Sequence, residues 1–284
     1  MITRVFEKKW LKYLFLYTLL GLYLIFALFP FYWAFITSIK KNRELYDPKY
    51  MPLLIKTGVT FEHYVELIQT TNFVTFFKNS AIVATLATFI SVSVSIFAGY
   101  AITRIGFTGS EAFGTGVFLT YLVPPTLLFI PLFQLLTLFG VINTKWALVI
   151  VYPTLAVPFC TWLLIGYFDT IPQSVEDAAL IDGANRWQVI WKIFLPLAKP
   201  GLIAATMFAF IVSWANYLYP VAFVTTASEQ VLTAGAATEL IKGDVFFWGQ
   251  LMAAVLIAAI PIVIIFSFLM DYYVAGLTSG STKG

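Results

Sequence analysis

The chain has 284 residues, of which 60% are hydrophobic, 18% aromatic and only 11% charged, far from the roughly 25% charge of a soluble domain. Its net charge of +3 comes from scattered residues and forms no basic stripe for nucleic acid. One cysteine, Cys160, and one histidine, His63, leave disulfide, zinc and catalytic-triad chemistries without parts, so the expectation is an all-α integral membrane protein with no catalytic residue and no metal site.

Residues 1–12 carry Arg4, Lys8, Lys9 and Lys12 and read as a short tail. The uncharged run over 13–39 that follows is too long for a signal-peptide core, and no small-residue cleavage site follows its first half, which predicts an uncleaved first span. Segment 40–79 mixes polar and apolar residues and predicts an ordered cap with a short helix over 62–69. Uncharged runs over 80–102, 113–138, 146–168, 202–226 and 248–270 are each long enough to cross a bilayer core of about 30 Å. Six spans place both termini on one side and form a single membrane domain over 13–284. Lys and Arg divide almost evenly between the two sides, so the positive-inside rule leaves the orientation open.

None of the six runs contains Asp, Glu, Lys, Arg or His, which argues against a proton-coupled carrier and less strongly against a sodium-coupled one. No Gly-x-x-x-x-Gly-Lys-Ser/Thr loop is present to cradle nucleotide phosphates, so the energy for active transport would come from another chain. Eight of the thirteen prolines fall within the spans. Each removes a backbone donor, and such breaks are tolerated at membrane depth where protein or a wet cavity satisfies the freed carbonyl. Pro124 and Pro125, near the middle of the third span, predict a bend beside a pathway, although prolines are also simply commoner in membrane helices. In the fifth span, Trp214, Asn216, Tyr217 and Tyr219 offer aromatic faces beside an amide and hydroxyls, a set that suits sugars. Interfacial aromatics with an interhelical Asn bond account for the same residues, and both readings stay open.

The one long polar stretch inside this apolar chain is the loop over 169–201, which holds seven of the 31 charged side chains. Ser174 with Asp177 reads as a short capping pair, and Gly183 after Asp182 reads as a C-terminal cap, so a first helix of about two turns is expected. Helical spacing places Val175, Ala178, Ala179 and Asp182 on one face, which suits close docking. Trp187, Ile190, Trp191 and Phe194 repeat that spacing as a bulky stripe that would lie on the rest of the protein until Pro196 and Pro200 end it.

Asp177-Ala178-Ala179, then Asp182-Gly183-Ala184, then Ile193-Phe194-Leu195-Pro196 resemble in register the cytoplasmic EAA loop of ABC importer permeases, with Asp177 for the usual Glu. Val123-Pro124-Pro125, Ile130-Pro131-Leu132-Phe133, Asn143-Thr144, Met252-Ala253-Ala254 and the ending from Tyr273 to Gly284 are similar to the carbohydrate-uptake, maltose-type branch of that family. The family has Trp-Asn-Asp/Glu-Phe/Tyr where this chain has Trp214-Ala215-Asn216-Tyr217.

The resemblance implies a permease subunit of an ATP-driven importer for a sugar or oligosaccharide in a prokaryotic cytoplasmic membrane, with both termini cytoplasmic. It implies that Glu176, Asp177, Ala178, Ala179, Asp182 and Gly183 form the ATPase-coupling site, and that ATP and Mg bind a partner chain. The implied partners are a second homologous permease, two ATPase subunits, an extracytoplasmic sugar-binding protein and the bilayer. The loop from Thr225 to Phe247, with Gly235 and Gly243 as mobile points, would meet the binding protein. The alternatives are an ABC permease for a polyol or glycerol phosphate, or an ion-coupled carrier working alone.

Overall fold

The computed structural model describes residues 2–279, with side chains over 10–270. The side chains of Arg4, Lys8 and Lys9, and those of the terminal stretch from Tyr273 to Gly284, lie outside the described ones. In chain order the helices are α1 (Ile2–Ile39), α2 (Asn42–Tyr46), α3 (Glu62–Gln69), α4 (Phe73–Tyr100), α5 (Ser110–Tyr121), α6 (Phe129–Leu138) and α7 (Lys145–Phe168). They continue with α8 (Gln173–Ile181), α9 (Arg186–Val189), α10 (Leu195–Leu197), α11 (Lys199–Trp214), α12 (Leu218–Phe223), α13 (Leu232–Leu240) and α14 (Trp248–Ser279). A two-stranded hairpin, β1 (Ile241–Lys242) and β2 (Val245–Phe246), joins the last two.

Among the described residues, four stretches are long and apolar enough to cross a membrane as continuous helices: Trp10–Ile39, Phe73–Ile105, Lys145–Phe168 and Trp248–Met270. Two bent pairs, Ser110–Tyr121 with Pro125–Leu138 and Arg186–Leu197 with Lys199–Trp214, bring the number to as many as six if each is one span. The third span breaks by 93° between Ser110–Tyr121 and Pro125–Leu138. Pro124 has no N–H to continue the helix and pushes the residue before it out of the helical region, so α5 closes with the tight bond from Val123 N–H to the Thr120 carbonyl. The bend expected at Pro124–Pro125 is there.

The fifth span differs from the continuous run expected over 202–226. Its helix α11 stops at Trp214, residues 215–217 are not helical, and α12 follows as a separate short piece. Hydropathy registers how apolar a segment is, not whether its backbone stays regular, and the break contains no charge to betray it.

The chain divides into two compact units, residues 1–71 with 239–259 and residues 72–238 with 260–284. In the first unit, α3 covers the predicted 62–69. Lys40 is buried and donates from Nζ to the Met51 and Pro52 carbonyls, while the Glu44 carboxylate accepts the Lys56 and Thr57 amides. Burial alone would raise the Glu44 carboxyl, but those amides and the Lys40 charge outweigh it and hold it below its ordinary value. His63, buried, bonds the Lys40 carbonyl through Nε2 at 2.7 Å and packs against Gly249, the packing role its sequence context suggested.

In the second unit, α4, α7 and α11 pack together through small residues: Ala84, Ala87, Ser91 and Ser95 on α4, Ala156 and Cys160 on α7, and Ala204, Ala205 and Ala209 on α11 are all buried. Small side chains let backbones approach closely where lipid offers no hydrophobic drive to associate. Gly201 shows how tight this is, since a Cβ there would sit 2.6 Å from Tyr167 Cγ. Gly235, expected as a mobile point, is instead a helical residue of α13 with the Phe76 ring 2.6 Å from where its Cβ would be.

Candidate functional site

Two regions of the second unit depart from regular helix and gather the polar side chains, the loop over 169–201 and the breaks near 122–128 and 215–217. In the loop, α8 begins at Gln173 behind Pro172, one residue before the expected cap, and Ser174 makes no capping bond. Its end is as expected. Gly183 takes φ +88°, its N–H reaches the Leu180 carbonyl and the Ala184 N–H reaches the Ala179 carbonyl, a Schellman closure that only a residue free of Cβ strain closes cheaply. The next helix starts at Asn185 through a reciprocal capping box that the sequence reading missed. Asn185 Oδ1 accepts the Gln188 N–H at 2.9 Å, and Gln188 Oε1 accepts the Asn185 N–H at 2.8 Å.

The expected coupling residues divide between the two faces of α8. Asp177, Ala178, Asp182 and Gly183 are exposed, whereas Glu176 and Ala179 are buried against the rest of the protein. Helical spacing tells which residues share a face; it does not tell which face turns in. The outward surface of α8 adds Val175, Leu180 and above all Ile181, 86% exposed. The aromatic stripe also divides. Ile190 and Phe194 are buried, whereas Trp187 and Trp191 are more than half exposed.

Behind α8 lies Arg104, a residue that the sequence alone places only in a turn. Its Nη2 donates to the carbonyls of Phe168 and Ile171, each at 2.6 Å, and its Nε lies 3.0 Å from Glu176 Oε1 as an ion pair without hydrogen-bond alignment. Tyr100 Oη donates to the other Glu176 oxygen at 3.0 Å. The guanidinium also covers the Phe194 ring, 5.2 Å from its centre, and Phe194 meets Tyr100 and Phe168 edge-on at 5.0 and 4.7 Å. The signal that could have pointed here is an arginine at the end of an uncharged run, paired with the acid of a distant loop.

At the breaks, a cavity of about 370 Å³ is lined by Tyr121, Val123 and Pro125 of the bent third span, Thr154 and Leu155 of α7, and Ala215 and Asn216 beyond α11. Of the pathway residues expected from sequence, Pro125 and Asn216 line it and Pro124 sits exposed at the bend beside it. Trp214 and Tyr219 do not line it, because both are buried in packing. Trp214 stacks on Phe210 and meets Phe77 edge-on, while Tyr219 packs on Phe129 and Phe223 and donates to the Pro125 carbonyl at 3.2 Å. Tyr217 is exposed, away from the lining. Asn216 Oδ1 accepts the Tyr219 N–H at 3.1 Å, closing the turn into α12.

A third polar node lies before α7. Asn143, at φ +64°, accepts the Thr225 and Thr226 amides on Oδ1 and donates to Thr226 Oγ1, fixing the start of the segment that leads to α13. Beside it, Glu229 accepts the Lys145 amide and pairs with its ammonium at 3.2 Å. The Lys145 amide, more than the opposing burial, holds the Glu229 carboxyl below its ordinary value.

Residues 91–279, which contain the loop, the bend and the cavity, match the family described as binding-protein-dependent transport system inner membrane component. The chain belongs to this family. It is an all-α inner-membrane permease component of an ABC transport system. An inner membrane ABC transporter permease protein of Escherichia coli (strain K12), YcjP, is 36% identical over 98% of this chain and 99% of its own length. A trehalose/maltose transport system permease protein, MalG of Thermococcus litoralis, is 33% identical over 92% of this chain and 93% of its own. Among solved structures, a bacterial ABC transporter involved in import of the acidic polysaccharide alginate aligns with a TM-score of 0.78 at 22% identity, over 92% of this chain and 95% of that one, which speaks for the fold alone. The permease is thus family-typical across nearly its whole length, not only in its loop.

Proposed function

We propose that this permease carries a sugar or oligosaccharide across the inner membrane, driven by ATP hydrolysed on partner subunits that dock on the outward face of α8. The observation that carries the reading is the combination, on one α8, of an exposed surface from Val175 to Gly183 and a buried Glu176 clamped to the end of α4. A helix exposed on one side and locked on the other can transmit a push. ATP binding would draw the ATPase pair together, α8 would follow, and the spans it grips would rearrange as rigid bodies, switching the side from which the cavity is reached. A sugar as cargo is supported by the trehalose/maltose relative and by the polar and aromatic lining of the cavity, where Tyr121 offers a ring and Thr154 and Asn216 offer hydrogen bonds.

On this reading the loop and both termini face the cytoplasm. The cation-free cavity lining suits a neutral solute better than a phosphate. A second homologous permease, two ATPases and an extracytoplasmic binding protein complete the transporter, and ATP with Mg belongs to the ATPases. Asp177, Ala178, Asp182 and Gly183 form the contact, while Glu176 and Ala179 support it from behind. Purification of the tagged protein from its own host in mild detergent, with co-purifying chains counted by mass spectrometry, tests this. Two ATPase copies and one different permease per copy of this chain are expected. A solitary chain in every detergent would overturn the reading in favour of a carrier working alone.

A further inference from the structure

The joint between loop and spans contains an unusual backbone feature twice. The second span ends in a π-helical turn over Ala101–Ile105, and a second π-helical turn spans Ile190–Phe194 in the loop. Each is closed by a wide bond, from Gly106 N–H to the Ala101 carbonyl and from Leu195 N–H to the Ile190 carbonyl. Such turns account for well under 1% of residues, insert a residue into the helical register, and re-aim the side chains they carry. Here they carry Arg104 on one and Phe194 on the other, and the guanidinium lies over the ring, 5.2 Å from its centre.

Arg104 then fastens three elements at once. It originates at the end of the second span, takes the Phe168 carbonyl at the exit of α7 and the Ile171 carbonyl of the turn that follows, and reaches Glu176 in α8. Its Nη2 donates to both carbonyls while its Nε, at the other side of the guanidinium, sits 3.0 Å from the carboxylate as an ion pair, a spread of contacts that the single ammonium of a lysine does not reproduce. The pair is buried, with each side chain 8% exposed, so either partner without the other would leave a charge with little solvent.

We propose that Arg104 is the positioning residue of the coupling joint: it ties α8 to the second span so that displacement of the loop moves the span instead of being absorbed in the turn at 169–172. This rests on the coupling role proposed for α8 and deepens it. Side-chain packing alone would leave α8 attached but free to swivel.

The test uses the whole transporter, with partner permease, ATPases and binding protein, reconstituted in proteoliposomes. Arg104→Ala, Arg104→Lys, Glu176→Gln and the Arg104→Ala/Glu176→Gln double variant are compared by hydrogen exchange and by solute moved per ATP hydrolysed. For Arg104→Ala, exchange over 168–184 is expected to rise about tenfold with peptides from 146–160 unchanged, and solute per ATP to fall about tenfold. Arg104→Lys should recover part of both, because it keeps the charge but loses the fork. Adding Glu176→Gln to Arg104→Ala should cost almost nothing further, the mark of one shared interaction.

Wild-type exchange and wild-type solute per ATP in Arg104→Ala would overturn the proposal, as would strict additivity in the double variant. If Arg104→Ala does not assemble, Arg104→Lys and Glu176→Gln decide it by the same two readouts. Asp177→Lys, on the exposed face, separates this from the docking role. If Asp177→Lys leaves ATPases bound and coupled while Arg104→Ala loosens 168–184, docking falls and the tie stands. If Asp177→Lys uncouples while Arg104→Ala leaves exchange unchanged, the tie falls and docking stands.

Discussion

The loop over 169–201 and the breaks around the cavity both abandon regular helix, yet they are held by different forces. At the loop, one guanidinium engages two carbonyls, a carboxylate and a ring, a tyrosine takes the remaining carboxylate oxygen, and three aromatic rings close around them. At the breaks, the bonds are separate and between uncharged groups, Tyr219 Oη to the Pro125 carbonyl, Thr233 Oγ1 to the Asn216 carbonyl and Tyr219 N–H to Asn216 Oδ1, beside a cavity of about 370 Å³. The difference teaches where this fold is stiff and where it yields. On the coupling role proposed above, redundant anchors suit the loop that passes on a push, and fewer anchors beside a cavity suit the part that opens.

Substitutions should affect the loop most. Glu176→Ala removes the partner of a buried arginine and should cost about 3 kcal/mol, read as a loss of thermal stability in detergent together with released ATPase subunits. Asn216→Ala, at the breaks, removes one turn-closing bond and should cost only about 1 kcal/mol while shifting the relative uptake of solutes of different size, measured by competition in proteoliposomes. Equal stability losses at the two sites would erase the contrast between them.

The smallest effect is one of pH. Glu229 is held below its ordinary value of 4.5, so it contributes stability above that value which is lost as pH falls through its folded one. Acidification below about pH 4.5 should therefore loosen the segment from Thr225 to Glu229, seen as faster hydrogen exchange there, and Glu229→Gln should remove the dependence.

Much of the loop was legible because its chemistry is local. Gly183 announces its own turn, and an acid, two alanines and an Asp-Gly pair fix the helix that precedes it. Pro124 and Pro125 likewise announce a bend by what they cannot donate. What was not legible depends on residues far apart in the chain. Glu176 turns inward toward Arg104, 72 positions earlier, and Trp214 and Tyr219 are packed on Phe77 and Phe129 outside the cavity lining. The end of α11 at Trp214 escaped for another reason, since an apolar run reads the same whether its backbone is helical or broken.

If motion of α8 drives the spans, Gly183→Val should separate ATP hydrolysis from transport. A β-branched residue at φ +88° strains the Schellman closure by about 1–3 kcal/mol without touching Arg104 or the cavity. The measurement is solute moved per ATP hydrolysed by the reconstituted transporter carrying that change. The account predicts that ATP is still hydrolysed while the ratio falls by about tenfold or more. A wild-type ratio in a properly assembled Gly183→Val transporter would contradict it.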